Sequence, residues 1–308
     1  MSEDGDEHQA GALDVFRALR PKLFGIAYRM LGSATDAEDL LQDAWLRWHR
    51  VEHAAVADPT AFLVRLVTNL CLNELDSARA RREVYVGSWL PEPVLSGAGT
   101  ELGPLDDVVQ RETVSFALLT MLERLTPAER AAYVLREAFA YSAREVAEAL
   151  GTSEANVRQL HSRARRHLGD DRVAPVDPAR WQELVTSFFA AAREGDISRL
   201  EALLADDVEA RADGGGRVSA ARRPVHGRAT VARYLLGVLQ RFAEGIVPSL
   251  VEVNGETALV ATAADGLRAI WFFETDGDVI TGLKMMVNPA KLEFAARQLS
   301  RIGALSGP

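Results

Sequence analysis

Ser142-Ala143-Arg144-Glu145-Val146-Ala147-Glu148-Ala149-Leu150-Gly151-Thr152-Ser153, continued by Glu154 to Leu168, is the stretch on which the reading of this chain turns. Its first part predicts a short helix, Gly151 a break, Ser153 an N-cap, and the remainder a second helix. Val146, Ala147, Leu150, Val157 and Leu160 fall where they hold the two helices together, so the segment reads as a helix-turn-helix. The polar face left on the second helix carries Glu154, Asn156, Arg158, Gln159, His161, Ser162 and Arg165. Residues near the N-terminus of such a helix reach base edges in a major groove, and the later arginines suit phosphates. A helical hairpin with a merely solvated charged face has the same pattern; DNA contact is the preferred reading of the two.

Upstream, helical spacing extends from Leu13 to Arg82, with Leu23, Ile26, Ala27, Met30 and Leu31 on one apolar stripe and Leu40, Leu41, Ala44 and Trp45 on another. Stops at Gly32-Ser33 and around Asp58-Pro59 divide it, with Ser33 or Thr35 capping the helix that begins near Asp36. Asp36, Asp39 and Asp43 recur there at helical spacing. Acids at a helix start are stabilised by the dipole, and the same residues make a stripe for a basic partner; the pattern alone does not choose. The helix from Phe62 to Arg82 sets Asn69, Asn73 and the basic knot Arg79, Arg81, Arg82 against apolar Leu66, Leu70 and Leu75. Taken alone, that is a solvated face. From Val84 to about Pro104, Trp89-Leu90-Pro91-Glu92-Pro93 and Ser96-Gly97-Ala98-Gly99 predict a linker, and helical periodicity resumes at Leu105.

Beyond Pro175 and Pro178 the character changes. Helices are expected at about 179–195, 197–204 and 229–244, around the run Gly214-Gly215-Gly216. Four β-rich runs follow: Ser249–Val253, Thr257–Ala263, Leu267–Glu274 and Val279–Val287. Asn254-Gly255, Asp265-Gly266 and Asp276-Gly277 separate them, and such pairs favour hairpin turns because both residues take positive φ. An α+β domain with a curved antiparallel sheet is expected.

A length of 308 residues suits two or three domains. The net charge of -9 argues against coating nucleic acid by charge alone, because nonspecific affinity is phosphate neutralisation. Basic spots at Arg158, Arg163, Arg165 and Arg166 and at Arg79 to Arg82, on an acidic body, imply DNA contact that depends on a partner. No apolar run reaches the roughly 20 residues of a membrane span. Glu3, Asp4, Asp6 and Glu7 lack the basic-then-apolar order of a secretory signal, and the single cysteine, Cys71, permits no internal disulfide. A cytoplasmic protein without membrane contact is expected.

Taken in order, Asp36-Ala37-Glu38-Asp39-Leu40-Leu41-Gln42-Asp43, the basic helix, the linker, Leu125-Thr126-Pro127-Ala128-Glu129-Arg130 and the helix-turn-helix resemble the extracytoplasmic-function (ECF) sigma factors of the sigma-70 family. The resemblance covers residues 10–170. It implies a region 2 helical bundle over residues 10–83, a linker over 84–107 and a region 4 helix-turn-helix over 108–172. Asp36, Glu38, Asp39, Gln42 and Asp43 are then implied to dock on the clamp coiled coil of the largest polymerase subunit. Asn69, Asn73, Arg79 and Arg82 are implied to trap the minus-10 strand, and the second helix of the later domain to read the minus-35 element.

Trp89-Leu90-Pro91-Glu92-Pro93, Asp213-Gly214-Gly215-Gly216-Arg217 and Asn288-Pro289-Ala290-Lys291-Leu292 are similar to signatures of the sigma subfamily that carries a SnoaL-like, nuclear-transport-factor-like extension, here residues 178–308. Trp89, Pro91, Asp213, Gly214, Gly215, Gly216, Arg217, Asn288 and Pro289 are thereby implied to hold the sigma domains and the tail in one arrangement. Arg217 stands where the subfamily has lysine, which changes the donor geometry, and Ala290 stands where it has an acid. The expected architecture is multidomain: two all-α sigma domains followed by an α+β SnoaL-like cone with a curved antiparallel sheet.

The resemblance implies a binding protein and not an enzyme: it directs RNA polymerase core to promoter DNA and starts transcription, regulated by its fused tail. No cofactor and no metal are expected, and a small ligand in the tail is left open. His49-Arg50-Val51-Glu52-His53 fits an H-x-x-E-H zinc pattern, but it sits where a helix runs into a loop, away from any third ligand. Gly214 to Gly216 lacks the Gly-Lys-Ser/Thr ending of a phosphate loop. Two other readings compete. A stand-alone helix-turn-helix regulator with a ligand-binding tail would need a dimerisation helix to match palindromic sites, and none is evident. An isomerase or cyclase in the tail, fused to a DNA-binding head, would draw its proton-moving group from Asp213, His226 or Asp265. Neither accounts for the acidic helix.

Overall fold

The computed structural model describes residues 3–96, 102, 113–169 and 178–302. Two compact units emerge, one made of Met1–Val84, Val94–Asp170 and Asn254–Glu256, the other of Tyr85–Pro93, Asp171–Val253 and Thr257–Pro308. Of the expected linker, Tyr85–Pro93 folds with the second unit, whereas the stretch from Gly97 onward lies mostly outside the described residues.

Helices build the first unit. α1 (Glu3–Leu31) stops where Gly32 takes a φ of 66°, and Ser33 caps α2 (Ala34–Trp48) by accepting the amide of Asp36 at 3.1 Å. Asp58 Oδ1 accepts the amides of Thr60 and Ala61, which starts α3 (Pro59–Glu83) with proline at its first position. Phe24, Tyr28, Trp48 and Leu63 are buried where α1, α2 and α3 pack, and the Trp48 indole donates to Ala12 O at 3.0 Å. Further on come α4 (Phe116–Leu122) and α5 (Pro127–Tyr133), the latter opened by a reciprocal capping box between Thr126 and Glu129 and prolonged by a π-turn, Val134–Ala138. α6 (Ala143–Leu150) and α7 (Glu154–Leu168) complete the unit.

Within this unit α6 packs on α7 and also on α3. Arg130, midway along α5, is buried and donates to Met30 O at 2.7 Å and to Glu123 Oε1 at 2.9 Å. Burial lowers its guanidinium to about 10, the expected direction for a cation withdrawn from water.

In the second unit, α8 (Pro178–Glu194), α9 (Ile197–Ala202), α10 (Arg228–Phe242) and α11 (Pro289–Ile302) surround a sheet of β1 (Leu204–Asp213), β2 (Val225–His226), β3 (Val247–Val253), β4 (Glu256–Ala263), β5 (Gly266–Asp276) and β6 (Val279–Met286). The spatial order is β2-β1-β6-β5-β4-β3. One face carries Trp271, Phe273, Leu283 and Met285, packed on Trp181, Phe188 and Phe189 of α8, with ring centroids 5.6 Å apart for Phe188–Phe273 and 5.7 Å for Phe189–Trp271. α11 lies against β5. Helices packed on a six-stranded sheet make this an α+β unit.

The strand β1 has no counterpart in the sequence reading. It pairs parallel with β6, Ala210 opposite Leu283 and Asp213 opposite Met286, whereas β1 with β2, β4 with β5 and β5 with β6 pair antiparallel. Val208, Ala210 and Ala212 are buried while Glu209 and Arg211 are half-buried, a period-two alternation masked by acids and alanines of low strand propensity.

Candidate functional site

Three sequence motifs meet at one buried carboxylate in the second unit. Asp213, at the end of β1, is fully buried, and its Oδ1 accepts the Tyr85 hydroxyl at 2.6 Å and the Gly215 amide at 3.0 Å. Its Oδ2 accepts the Leu90 amide at 2.9 Å and Lys291 Nζ at 2.8 Å. Lys291 also donates to Leu90 O at 2.5 Å, and its ammonium lies 4.0 Å from the centre of the Trp89 ring. A buried charge pair is stable only when its remaining hydrogen-bonding positions are filled, and here the surrounding backbone and rings fill them. Asn288 Nδ2 donates to the Tyr85 hydroxyl at 2.9 Å, and Asn288 Oδ1 accepts the Ala290 amide at the start of α11. Burial, with the hydrogen bond to Asp213, pushes the Tyr85 phenol above the usual tyrosine range.

The glycine run is shaped to this cluster. Gly215 has a φ of 57°, and a Cβ there would collide with the Asn288 side-chain amide. Gly216 passes close to Val86, and buried Gly214 faces Val218 and Ala220. Pro91 is buried, Trp89 half-buried, and Pro289 exposed at the first turn of α11. Arg217 is exposed; its charge lowers the Tyr85 phenol, opposing burial. Sequence reasoning named Trp89, Asp213 and Asn288 but missed Tyr85 and Lys291 as site residues. Lys291 lay inside a quoted motif; Tyr85 carried no local signal.

On the helices of the first unit, Asp39, Gln42 and Asp43 are exposed along α2, Asp36 is half-buried, and Glu38 is paired with Arg20 of α1. Leu46 is exposed on the same helix. Asn69 and Asn73 are exposed on α3. Arg79 and Arg82 fall on α3, and their side chains lie outside the described residues. Along α7, Glu154, Arg158, Gln159, Ser162 and Arg165 are exposed, with Arg158 ion-paired to Glu154 at 2.6 Å. Asn156 is half-buried, its amide donating to Thr152 Oγ1 at 2.9 Å. His161 turns toward α5 and its π-turn: its ring stacks near Tyr133, and Nε2 is 2.6 Å from Glu137 Oε1.

Family models for Sigma-70 region 2 and Sigma-70 region 4 match residues 15–81 and 115–168. The ECF RNA polymerase sigma factor SigJ of Mycobacterium tuberculosis is 43% identical over 263 residues, 83% of each chain. The chain belongs to the ECF RNA polymerase sigma factors. A probable ECF sigma factor of the same organism, SigI, is 30% identical over 284 residues, covering 90% of this sigma factor and 93% of the relative. The crystal structure of Mycobacterium tuberculosis SigJ matches this sigma factor with a TM-score of 0.72 and 37% identity, over 91% of the chain and 98% of that structure.

As a sigma factor the protein directs RNA polymerase core to promoters, and it binds both polymerase and DNA. The residues that competed for a catalytic role in its tail are otherwise engaged: Asp213 holds the cluster, His226 is exposed with Nδ1 3.4 Å from Glu209, and Asp265 pairs with Arg268 at an exposed turn. Among the described residues no group of three or more His, Cys, Asp or Glu is placed to hold a metal ion, and no helix is long and apolar enough to cross a membrane.

Proposed function

We propose that this sigma factor docks on polymerase through the exposed acids of α2, captures the minus-10 strand with Asn69, Asn73, Arg79 and Arg82 on α3, and reads the minus-35 duplex with α7. Within α7 the base-reading positions are Glu154, Asn156, Gln159 and Ser162, and Arg158 and Arg165 bind phosphate; His161 serves to seat the helix through Glu137. The work is binding and takes place in the cytoplasm, where core polymerase and promoter DNA are the partners. The tail regulates it, and the cluster around Asp213 supports this most directly: it fixes Tyr85–Pro93, the segment that follows region 2, inside the tail's own fold.

A packed region 2 and region 4 fits a resting state. Minus-10 and minus-35 elements lie about 25 base pairs apart, roughly 85 Å at 3.4 Å per base pair. Helices in contact have axes about 8–10 Å apart, so α3 against α6 must separate before both elements are read together. Polymerase then holds the two readers at a fixed spacing, and modest contacts at each end become jointly tight through effective concentration.

In vitro transcription and gel shifts with and without core polymerase test the reading. Polymerase-dependent initiation, weakened by Asp39→Arg, supports it. Tight palindrome-specific binding without polymerase overturns it.

A further inference from the structure

In the first compact unit, the turn Asn254-Gly255-Glu256 joins segments far apart in sequence. Asn254 is fully buried and holds φ at 55°, a left-handed conformation that asparagine tolerates better than most residues. Its amide donates to Val94 O at 2.8 Å, and its Oδ1 accepts the Val94 amide at 3.1 Å. Both contacts fall on one residue, so Val94 is pinned from two sides. The Nδ2 group donates to the Tyr28 hydroxyl at 2.6 Å and to Val114 O at 3.1 Å. Gly255 donates to Ser96 Oγ at 2.6 Å, and Glu256 Oε1 accepts the Phe116 amide at 2.8 Å.

The partners belong to three pieces of chain. Tyr28 lies on α1, inside region 2; Val94 and Ser96 lie in the connecting segment; Val114 and Phe116 open region 4. Glycine would satisfy the turn's backbone equally well, so turn geometry does not explain the side chain. Two other turns of the same sheet, at Asp265-Gly266 and Asp276-Gly277, carry exposed aspartates. Asn254 differs from them in being buried, with the acceptor and both donor sites of its side-chain amide engaged.

We infer that the Asn254–Glu256 turn is a staple: seated, it holds region 2 and region 4 packed with α3 against α6; withdrawn, it lets them part. The purpose of parting rests on the sigma-factor reading above, whereas the staple itself rests on the bonds just described. Asn254→Gly removes the side-chain bonds and keeps the backbone conformation. Tyr28→Phe removes one partner hydroxyl and keeps the ring, which stacks on Phe24 at 6.0 Å.

The test is a distance measurement by pulsed electron resonance on the full-length protein, spin-labelled at Ala61→Cys on α3 and Arg166→Cys on α7, both exposed sites. Cys71 is fully buried, and burial raises its thiol far above the usual range, so it stays unlabelled. Asn254→Gly is expected to raise the long-distance population about tenfold or more, the scale of losing more than one buried hydrogen bond. Tyr28→Phe is expected to shift it in the same direction by less. Unchanged distance distributions in both variants overturn the staple. Should Asn254→Gly fail to fold, Tyr28→Phe decides alone: a new longer distance supports the staple, and an unchanged one overturns it. Neither polymerase nor promoter is present, so failure here leaves the sigma-factor reading intact, and failure of transcription leaves these distances standing.

Discussion

At the residue scale, Asp213 and Lys291 show how a buried ion pair organises loops that have little secondary structure of their own. Asp213→Asn keeps the shape but leaves the Lys291 ammonium buried without its counter-charge. Losing one partner of such a pair typically costs 3–5 kcal/mol, so thermal or urea denaturation is expected to show about 3 kcal/mol less stability. Combining Asp213→Asn with Lys291→Met removes both charges and is expected to cost less than the sum of the single changes, which a double-mutant cycle reads directly. Tyr85 gives the pH signature. Its phenol is raised in the folded state by burial and by Asp213, so the stability it contributes is fully present below the unfolded tyrosine value of about 10 and is lost as pH rises toward the folded value. Urea denaturation from pH 8 to 11 is expected to show this loss, and Tyr85→Phe to flatten it. The sequence named Asp213 and Asn288 through motif resemblance, but the bond from Asn288 to Tyr85 spans 203 positions and leaves no local trace. Asn254 was legible as a positive-φ turn residue; its partners, 140 to 226 positions away, were not.

Elements were more legible than residues wherever the signal was local. The helix-turn-helix followed from Gly151 and Ser153, and each now has an angle or a bond behind it: Gly151 takes a φ of 63°, and Ser153 accepts the Asn156 amide, while Ser142 adds a capping box with Glu145 that was not read from the sequence. Nothing lies within 4 Å of a Cβ built on Gly151, so Gly151→Ala is strained by its backbone alone. A loss of about 1–2 kcal/mol is expected by thermal denaturation, and Gly151→Asn should lose less. On the same element, Arg165→Ala is expected to weaken binding of the polymerase holoenzyme evenly across promoter sequences and to lower the salt slope of log K by about 1, a signature that a base-reading residue would not give. β1 escaped notice for the opposite reason. Its Val208-Glu209-Ala210-Arg211-Ala212-Asp213 alternation is present in the chain, but small and acidic side chains gave it little strand propensity, and pairing with β6 supplies what the local sequence lacks.

For the whole molecule, the order of the stretch Tyr85–Pro93 depends on residues that lie far away in the chain. It has no helix or strand, yet Leu90, Pro91, Glu92 and Pro93 are buried, and the Leu90 amide and carbonyl are both taken up by the Asp213–Lys291 pair. Deleting residues 178–308 removes both members of that pair. The remaining peptide has nothing left to offset the entropy of an ordered loop, about 1–2 kcal/mol per residue. Cleavage of a locally opened segment tracks the population of its open form, so each 1.4 kcal/mol lost raises it about tenfold. Chymotrypsin is therefore expected to cut after Tyr85 and Trp89 at least about tenfold faster in the truncated protein than in the full chain, and Asp213→Asn should fall between. Equal cleavage in all three would mean that the segment orders itself, and the tail would lose its claim to control the piece of chain that follows region 2.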